Sequence, residues 1–576
     1  MPVPYIIMRI KILQIFFTTL FVLVGAWLYH LQIIKGPFYN NLSSRNSIRL
    51  LNIAAPRGNI YDRFGKLVAG NTLSFGVFII PQEVDDIDAE MEKLAGILGV
   101  SKSGLERNYK RNRTASFAPC ELIRGVSKKT AILIEESRLE MPGVLVKEIP
   151  FRNYYYNVSF SHVVGYIGEI DQLELELLKP YGYNIKDLIG KDGVERFCDR
   201  ILRGKNGGMQ IQVDNRGRQV KVMSYRRPKS GRDVYLTLDA GLQKVVYNLF
   251  NGQRGAAIFM DPHNGEILSL ISSPSYDPNE PLLKAMRSED SPLLNRAIMG
   301  VYPPGSIFKL VTSIAALESK SIRPDTGFVC VGKFNIGKDQ FDCWNKDGHG
   351  YVGLEKAIAW SCNVYFYHTA LLTGADKISK YANLFGLGRK TGIELFGESN
   401  GFVPSKEWKR AEKKEIWYPG DTANFSIGQG DLLVTPLQIA RMVSSIANGG
   451  ALIKPHILKR VGDADAADVK IETLKVAKEN IDVVRRGMRK VIEDPDGTGN
   501  RAASGIVSIS AKTGTVQVGP GIMPHGWFVG FAPSENPKIC FVVFLENAGS
   551  GGDAPAEIAK LALEYWFREH KNDKKI

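Results

Sequence analysis

Three short stretches of this sequence hold side chains able to make and break an acyl bond. The first is Tyr302-Pro303-Pro304-Gly305-Ser306-Ile307-Phe308-Lys309-Leu310, which sets a hydroxyl and an amine three residues apart. Pro-Pro-Gly followed by an apolar run predicts a helix starting at Ser306, and positions i and i+3 of a helix share a face. Lys309 then stands one turn beyond Ser306, near enough to take its proton, a standard remedy for a weak alcohol nucleophile. The free N–H groups and positive dipole end of a helix start suit an oxyanion. Chance alone supplies about two S-x-x-K tetrads in a chain this long, so the motif counts only with its companions.

Two companions follow in order, Ser361-Cys362-Asn363 and Lys512-Thr513-Gly514-Thr515. S-x-N carries little information by itself. K-T-G occurs twice. Lys390-Thr391-Gly392 lies in a glycine-rich stretch that reads as a loop, whereas Lys512 ends an alternating run, Ile506–Ala511, that reads as a strand. A strand edge can pair with an extended peptide, so the active motif is assigned to Lys512 and Lys390 is set aside. The cysteines add a fourth cluster, Cys330, Cys343, His349 and Cys362. Three thiolates and an imidazole complete a tetrahedral zinc set. A Cys330–Cys343 disulfide is the competing reading for an exported domain. His368 is the rival imidazole and reads as a helix-face histidine; His525 reads as a neighbour of the Lys512 strand.

These residues need elements to hold them. The run Ser306–Leu317 is apolar nearly all round, which predicts a helix buried on every side. Asp233–Asp239 alternates like a strand, Ala240–Phe250 like a helix, and Gly255–Phe259 with Glu266–Ser272 like a hairpin. Gly505–Ala511, Gly526–Ala532 and Lys538–Glu546 read as strands and Ala556–Glu569 as a helix. Strands at both ends with helices between predict an α+β domain whose antiparallel sheet joins its two termini. Ahead of it, Ala55–Ala69 is β-like, Ile87–Leu98 and Lys128–Leu139 are helical, Tyr154–Arg218 is irregular, and Pro228–Arg232 is a linker.

At 576 residues the chain is long enough for two or three domains. Its net charge of +14 suits an anionic membrane surface or an acidic polymer, and no nucleic-acid-binding motif accompanies it. Ile12–Tyr29 is an uncharged apolar run, extendable to Ile34, of the length a membrane helix needs. Arg9 and Lys11 precede it, which predicts a cytoplasmic N-terminus and an exported remainder. The run is long for a signal peptide and lacks a small-x-small cleavage site, so an uncleaved single-pass anchor is expected.

S-x-x-K, S-x-N and K-T-G in this order resemble the motif set shared by class A β-lactamases and penicillin-binding proteins. Ala55–Ala69, Gly190–Glu195 and Asp199–Gly204 resemble the pedestal of class B penicillin-binding proteins; Ser426–Gly430, Thr435-Pro436 and His525–Phe531 resemble transpeptidase landmarks. The resemblance implies residues 1–35 as cytoplasmic N-terminus and anchor, 36–230 as a dimerisation-type pedestal, 231–570 as the transpeptidase domain and 571–576 as a basic tail. It implies a peptidoglycan D,D-transpeptidase acting in cell elongation at the inner membrane, with its catalytic domain periplasmic. Ser306 would attack the penultimate D-alanine of a stem peptide and Lys309 would act as base, its pKa lowered in part by Lys512. Ser361 would relay a proton, Asn363 would bind the substrate amide, and Lys512 and Thr513 would take the terminal carboxylate. Ahead of Thr515 comes Gly514, and the N–H groups of Ser306 and Thr515 would form the oxyanion hole. Penicillin would be attacked in place of the donor and would stall.

In the elongation-type branch a zinc site stands beside S-x-N, its last ligand being the middle residue of that motif. Cys362 fills that slot and His349 and Cys343 precede it in matching order, so the resemblance implies one structural Zn2+. It also implies a RodA-type glycosyltransferase and an MreC-like factor as partners. The alternatives are a division-type class B protein, a β-lactam-binding sensor or scaffold without turnover, and a β-lactamase, for which pedestal and anchor would be superfluous.

Overall fold

The computed structural model describes residues 3–39, 48–113, 116, 118–213, 219–466 and 469–571. Residues 572–576 of the expected basic tail lie outside them. The chain forms two compact units that interleave along the sequence: Met1–Pro56, Thr72–Phe151 and Gly204–Ser230 make one, and Arg57–Asn71, Arg152–Arg203 and Gly231–Ile576 the other. The consecutive modules 36–230 and 231–570 expected from the sequence do not coincide with these units.

In the first unit, helix α1 (Val3–Tyr29) continues as one wider turn, His30–Ile34. The apolar span Ile6–Ile34 is 29 residues, long and apolar enough to cross a membrane, with none of its most apolar window buried. At 1.5 Å per residue that is about 43 Å, more than the ~30 Å of bilayer hydrocarbon. Strands Ile48–Ile53, Gly207–Val213 and Gln219–Arg226 form an antiparallel sheet, so part of the stretch expected to be irregular is strand. Helix Ile87–Leu98 starts on the Asp86 side chain and ends at Gly99, where φ is +65°, a left-handed value that glycine adopts without Cβ strain. Its Met91 and Leu94 pack with Val77, Ile79, Leu105 and Leu122 in a small core.

In the second unit three pedestal landmarks meet. Arg57, Glu195 and Asp199 come one from each and are buried side by side. Arg57 Nη2 lies 2.8 Å from Glu195 Oε2 and 2.8 Å from Asp199 Oδ1, and Arg152 Nε donates to Glu195 Oε1 at 2.6 Å. Burial pushes the Glu195 carboxyl up, but the two guanidinium groups outweigh it and hold it below the usual range.

Further along this unit come α2 (Ala240–Leu249), β1 (Gly255–Met260), β2 (Ile267–Ser273), α3 (Lys309–Glu318), β3 (Asp339–Asp342), α4 (Asn363–Thr373), α5 (Pro436–Ala447), α6 (Lys478–Glu493), β4 (Ser510–Val516), β5 (His525–Ala532), β6 (Ile539–Leu545) and α7 (Ala554–Glu569). One antiparallel sheet runs β2-β1-β6-β5-β4, joining the two ends of the catalytic region as expected. Every residue of β1, β2 and β6 is buried, so both sheet faces are covered. Helices α5 and α7 pack on its strands, and α2 packs on β2 and α7.

Two predicted elements differ. The strand expected at Gly505–Ala511 begins only at Ser510, so Lys512-Thr513-Gly514 lies inside the strand rather than after it. Ser504 and Ser508 divert the preceding segment: Ile506 N–H donates to Ser504 Oγ, a local bond that competes with a ladder, and Ser534 N–H, 26 positions on, donates to Ser508 Oγ. The helix expected from Ser306 begins as one 3-10 turn, Gly305–Phe308, and becomes α-helical at Lys309. All of α3 up to Leu317 is buried, as the apolar run predicted.

Candidate active site

Strand β4 ends the sheet order, so one side of it has no strand neighbour. The turn carrying Ser306 packs there, and two glycines allow the approach. Gly305 has φ +58°, and a Cβ on it would stand 2.6 Å from Val516 Cγ2; a Cβ on Gly514 would stand 3.0 Å from Ile307 Cγ1. Gly305 N–H donates to Gly428 O at 3.0 Å, which gives the Ser426–Gly430 landmark its purpose. In the first turn of its helix, the Ser306 N–H has no intrahelical acceptor.

Ser361 is brought to the same place with φ +53°, unusual for a residue with a side chain. Its Oγ accepts from Lys309 Nζ at 3.2 Å and from Lys512 Nζ at 2.9 Å, and its carbonyl accepts from Lys309 at 2.8 Å. Lys309 also donates to Asn363 Oδ1 at 2.7 Å. One serine hydroxyl thus bridges two fully buried amines. Burial is the main cause of the low pKa of both. It pushes Lys309 down to about 8 against an upward pull from Cys362 and Cys343, and it holds Lys512 well below the usual lysine range with help from the charge on Lys309. The expected lowering of Lys309 by Lys512 is not found; burial lowers Lys309, and the charge effect between the two amines falls on Lys512.

Ser306, Ser361, Asn363, Thr513 and Thr515 line one cleft of about 680 Å3, so the serine, S-x-N and K-T-G residues converge there. Lys390 stands apart. It is exposed on a loop whose next two residues wrap the Glu398 carboxylate, Thr391 N–H donating at 2.6 Å and Gly392 N–H at 3.0 Å.

Sequence reasoning missed several cleft residues. Thr498 Oγ1 lies 2.7 Å from Thr513 Oγ1 and lines the cleft with Ser550, Gln340, Phe341, Asp342 and Trp344. Thr498 and Ser550 sit in glycine-containing turns, a signal too common to single them out.

Behind Ser361, the ligand-capable atoms of Cys330, Cys343, His349 and Cys362 lie within 4.8 Å of one another. His349 Nδ1 is 3.5 Å from both the Cys330 and Cys343 sulfurs, and the cysteines are unbridged. A tetrahedral zinc with Zn–S of about 2.3 Å and Zn–N of about 2.0 Å has N–S edges of about 3.5 Å. His368 stacks on Phe328 at 4.7 Å, and His525 Nδ1 accepts from Asn547 N–H at 3.1 Å.

Residues 255–564 match the penicillin binding protein transpeptidase domain and residues 52–236 the penicillin-binding protein dimerisation domain. Peptidoglycan D,D-transpeptidase MrdA of Acinetobacter baumannii is 35% identical, covering 96% of this chain and 86% of its own, and that of Escherichia coli K12 is 31% identical over 91% and 89%. The PBP2 of Helicobacter pylori, solved in a complex with MreC, superposes with a TM-score of 0.80 at 30% identity, covering 91% of this chain and 100% of that one. This chain belongs to the penicillin-binding protein 2 family. It is a peptidoglycan D,D-transpeptidase of class B layout, with an apolar N-terminal helix, a dimerisation domain and a transpeptidase domain. These MrdA and PBP2 matches support the elongation-type reading, and the division-type alternative is supported less well.

Proposed function

We propose that this penicillin-binding protein 2 relative cross-links stem peptides during cell elongation through an acyl-enzyme on Ser306. The observation that carries the reading is Ser361 Oγ bridging the two lysine amines in the cleft that Ser306 lines. Neutral Lys309 takes the Ser306 proton as Oγ bonds to the carbonyl carbon of the penultimate D-alanine. The N–H groups of Ser306 and Thr515 hold the resulting oxyanion. Collapse breaks the C–N bond, and the departing D-alanine nitrogen takes its proton from Lys309 through Ser361. Lys512 and Thr513 hold the donor's carboxylate, and Asn363 its amide. The amine of a second stem then attacks the ester, gives up a proton, and releases Ser306 to recover its own. A β-lactam enters by the first step and stalls at the second.

Cys330, Cys343, His349 and Cys362 would hold one Zn2+, which would supply a fixed charge centre behind Ser361 and Asn363. The N–S distances and the closed donor set favour this over a disulfide. Arg9 and Lys11 ahead of the uncharged run Ile12–Tyr29 favour a cytoplasmic N-terminus and a periplasmic catalytic unit. The Helicobacter pylori complex supports an MreC-like partner, and a RodA-type glycosyltransferase rests on the resemblance. Labelling with fluorescent penicillin tests the nucleophile: wild type labels and Ser306→Ala does not. Undiminished labelling of Ser306→Ala would sink the assignment.

A further inference from the structure

The cleft is almost uncharged at its surface. Its lining is mainly hydroxyls, amides and aromatic rings, and both lysines are fully buried behind Ser361. Asp342 is the one lining side chain of the acidic or basic types, and it is exposed. It ends β3, immediately before Cys343. Its carbonyl accepts from Asn363 Nδ2 at 3.2 Å and Tyr367 OH at 3.3 Å, which pins its backbone to the helix that follows S-x-N. Gln340 Nε2 donates to its Oδ1 at 2.8 Å, which orients the carboxylate. Among the described residues the carboxylate has no ion-pair partner.

We infer that Asp342 recognises the ammonium of the acceptor, a peptide side chain ending in a primary amine. The inference rests on the transpeptidase reading above and deepens it. A lysine-type amine carries its proton in neutral water, with a pKa of about 10.4. It must nevertheless reach an ester in a cleft whose lining offers a single opposite charge. The donor presents a carboxylate, which the Thr513 hydroxyl in the lining can bind and Asp342 repels. One acid set apart from the two lysines therefore sorts the substrates by charge and draws the amine to the wall that carries Asn363. Only the free amine has the lone pair to attack, so the bound ammonium first gives one proton to water; the second leaves in the attack already described and goes back to Ser306, and Asp342 positions the acceptor without exchanging a proton itself.

The test uses the full chain in detergent with a pentapeptide donor ending in D-Ala-D-Ala. The acceptor is a tripeptide carrying a lysine-type amine, or its N-acetylated form. Cross-linked and hydrolysed products are separated by mass spectrometry. Asp342→Asn is expected to raise the acceptor concentration for half-maximal cross-linking by about 3- to 10-fold, and Asp342→Glu to restore part of it. Ser306 of both variants should still be acylated by fluorescent penicillin. An acceptor curve that does not move in Asp342→Asn overturns the inference. Calorimetric titration of the tripeptide into the full chain reads binding without turnover: weaker binding in Asp342→Asn supports it, and equal binding overturns it. Failure of wild type to be acylated would instead strike at Ser306.

Discussion

Lys309 is fully buried, and its amine sits near 8 because burial disfavours its charge. A base must be neutral to act, so the acylation rate should rise with pH through about 8 and level off above it; stopped-flow acylation across pH 6–10 reads this directly. Lys309→Arg keeps the charge but cannot lose a proton, and should lower the acylation rate by about 10²–10⁴-fold. A flat profile would place the base elsewhere. At this scale the sequence was informative about which residues take part and silent about how. The S-x-x-K spacing predicted Ser306 as the partner of Lys309, whereas the hydrogen-bond acceptors of the Lys309 amine are Ser361 and Asn363, more than fifty positions away. Asp342 carried no signal, because one acidic residue in a short polar stretch looks like any other.

The element that matters most is the turn before α3, pressed against edge strand β4. Its approach depends on Gly305, whose φ of +58° and contact with Val516 leave no room for a side chain. Gly305→Ala should therefore move Ser306 by a fraction of an ångström and slow acylation by about 10²-fold, a cost typical of small misplacements. Penicillin acylation kinetics check it, with circular dichroism to confirm folding; an unchanged rate would contradict the packing argument. The segment from Cys330 to Asn363 makes a second element-scale prediction. Metal analysis of the purified chain should find about one zinc, lost in His349→Ala, and chelation should slow acylation by loosening Ser361. A metal-free protein with a Cys330–Cys343 bridge would refute the zinc proposal. Periodicity located α3 and the sheet strands, but it misplaced the start of β4, because serine side chains at 504 and 508 bind nearby backbone where alternation predicted a ladder. Strand context still separated the two K-T-G triplets, since Lys512 lies in β4 and Lys390 in a loop.

Across the whole molecule, the arrangement least legible in the sequence is the interleaving of its two units. Contacts between residues far apart in sequence decide it, and hydrophobic patterning reports only local periodicity. Glu195 shows the difficulty: it meets Arg57 across 138 positions and Arg152 across 43. Removing one member of a buried ion pair leaves the others uncompensated and costs about 3–5 kcal/mol. Glu195→Ala should accordingly lower the melting temperature by several degrees in a thermal shift assay. A melting temperature equal to wild type would show that the network contributes little. The apolar N-terminal helix, by contrast, was plain, because Ile12–Tyr29 runs without a charged residue inside the 29-residue span Ile6–Ile34.

The central claim is that Ser306 carries the acyl group. Intact-mass spectrometry of the full chain after incubation with benzylpenicillin, followed by peptide mapping, tests it most directly. One penicilloyl adduct should appear on wild type, on the peptide containing Ser306, and none on Ser306→Ala. An adduct on another residue, or one that persists in Ser306→Ala, would contradict the account.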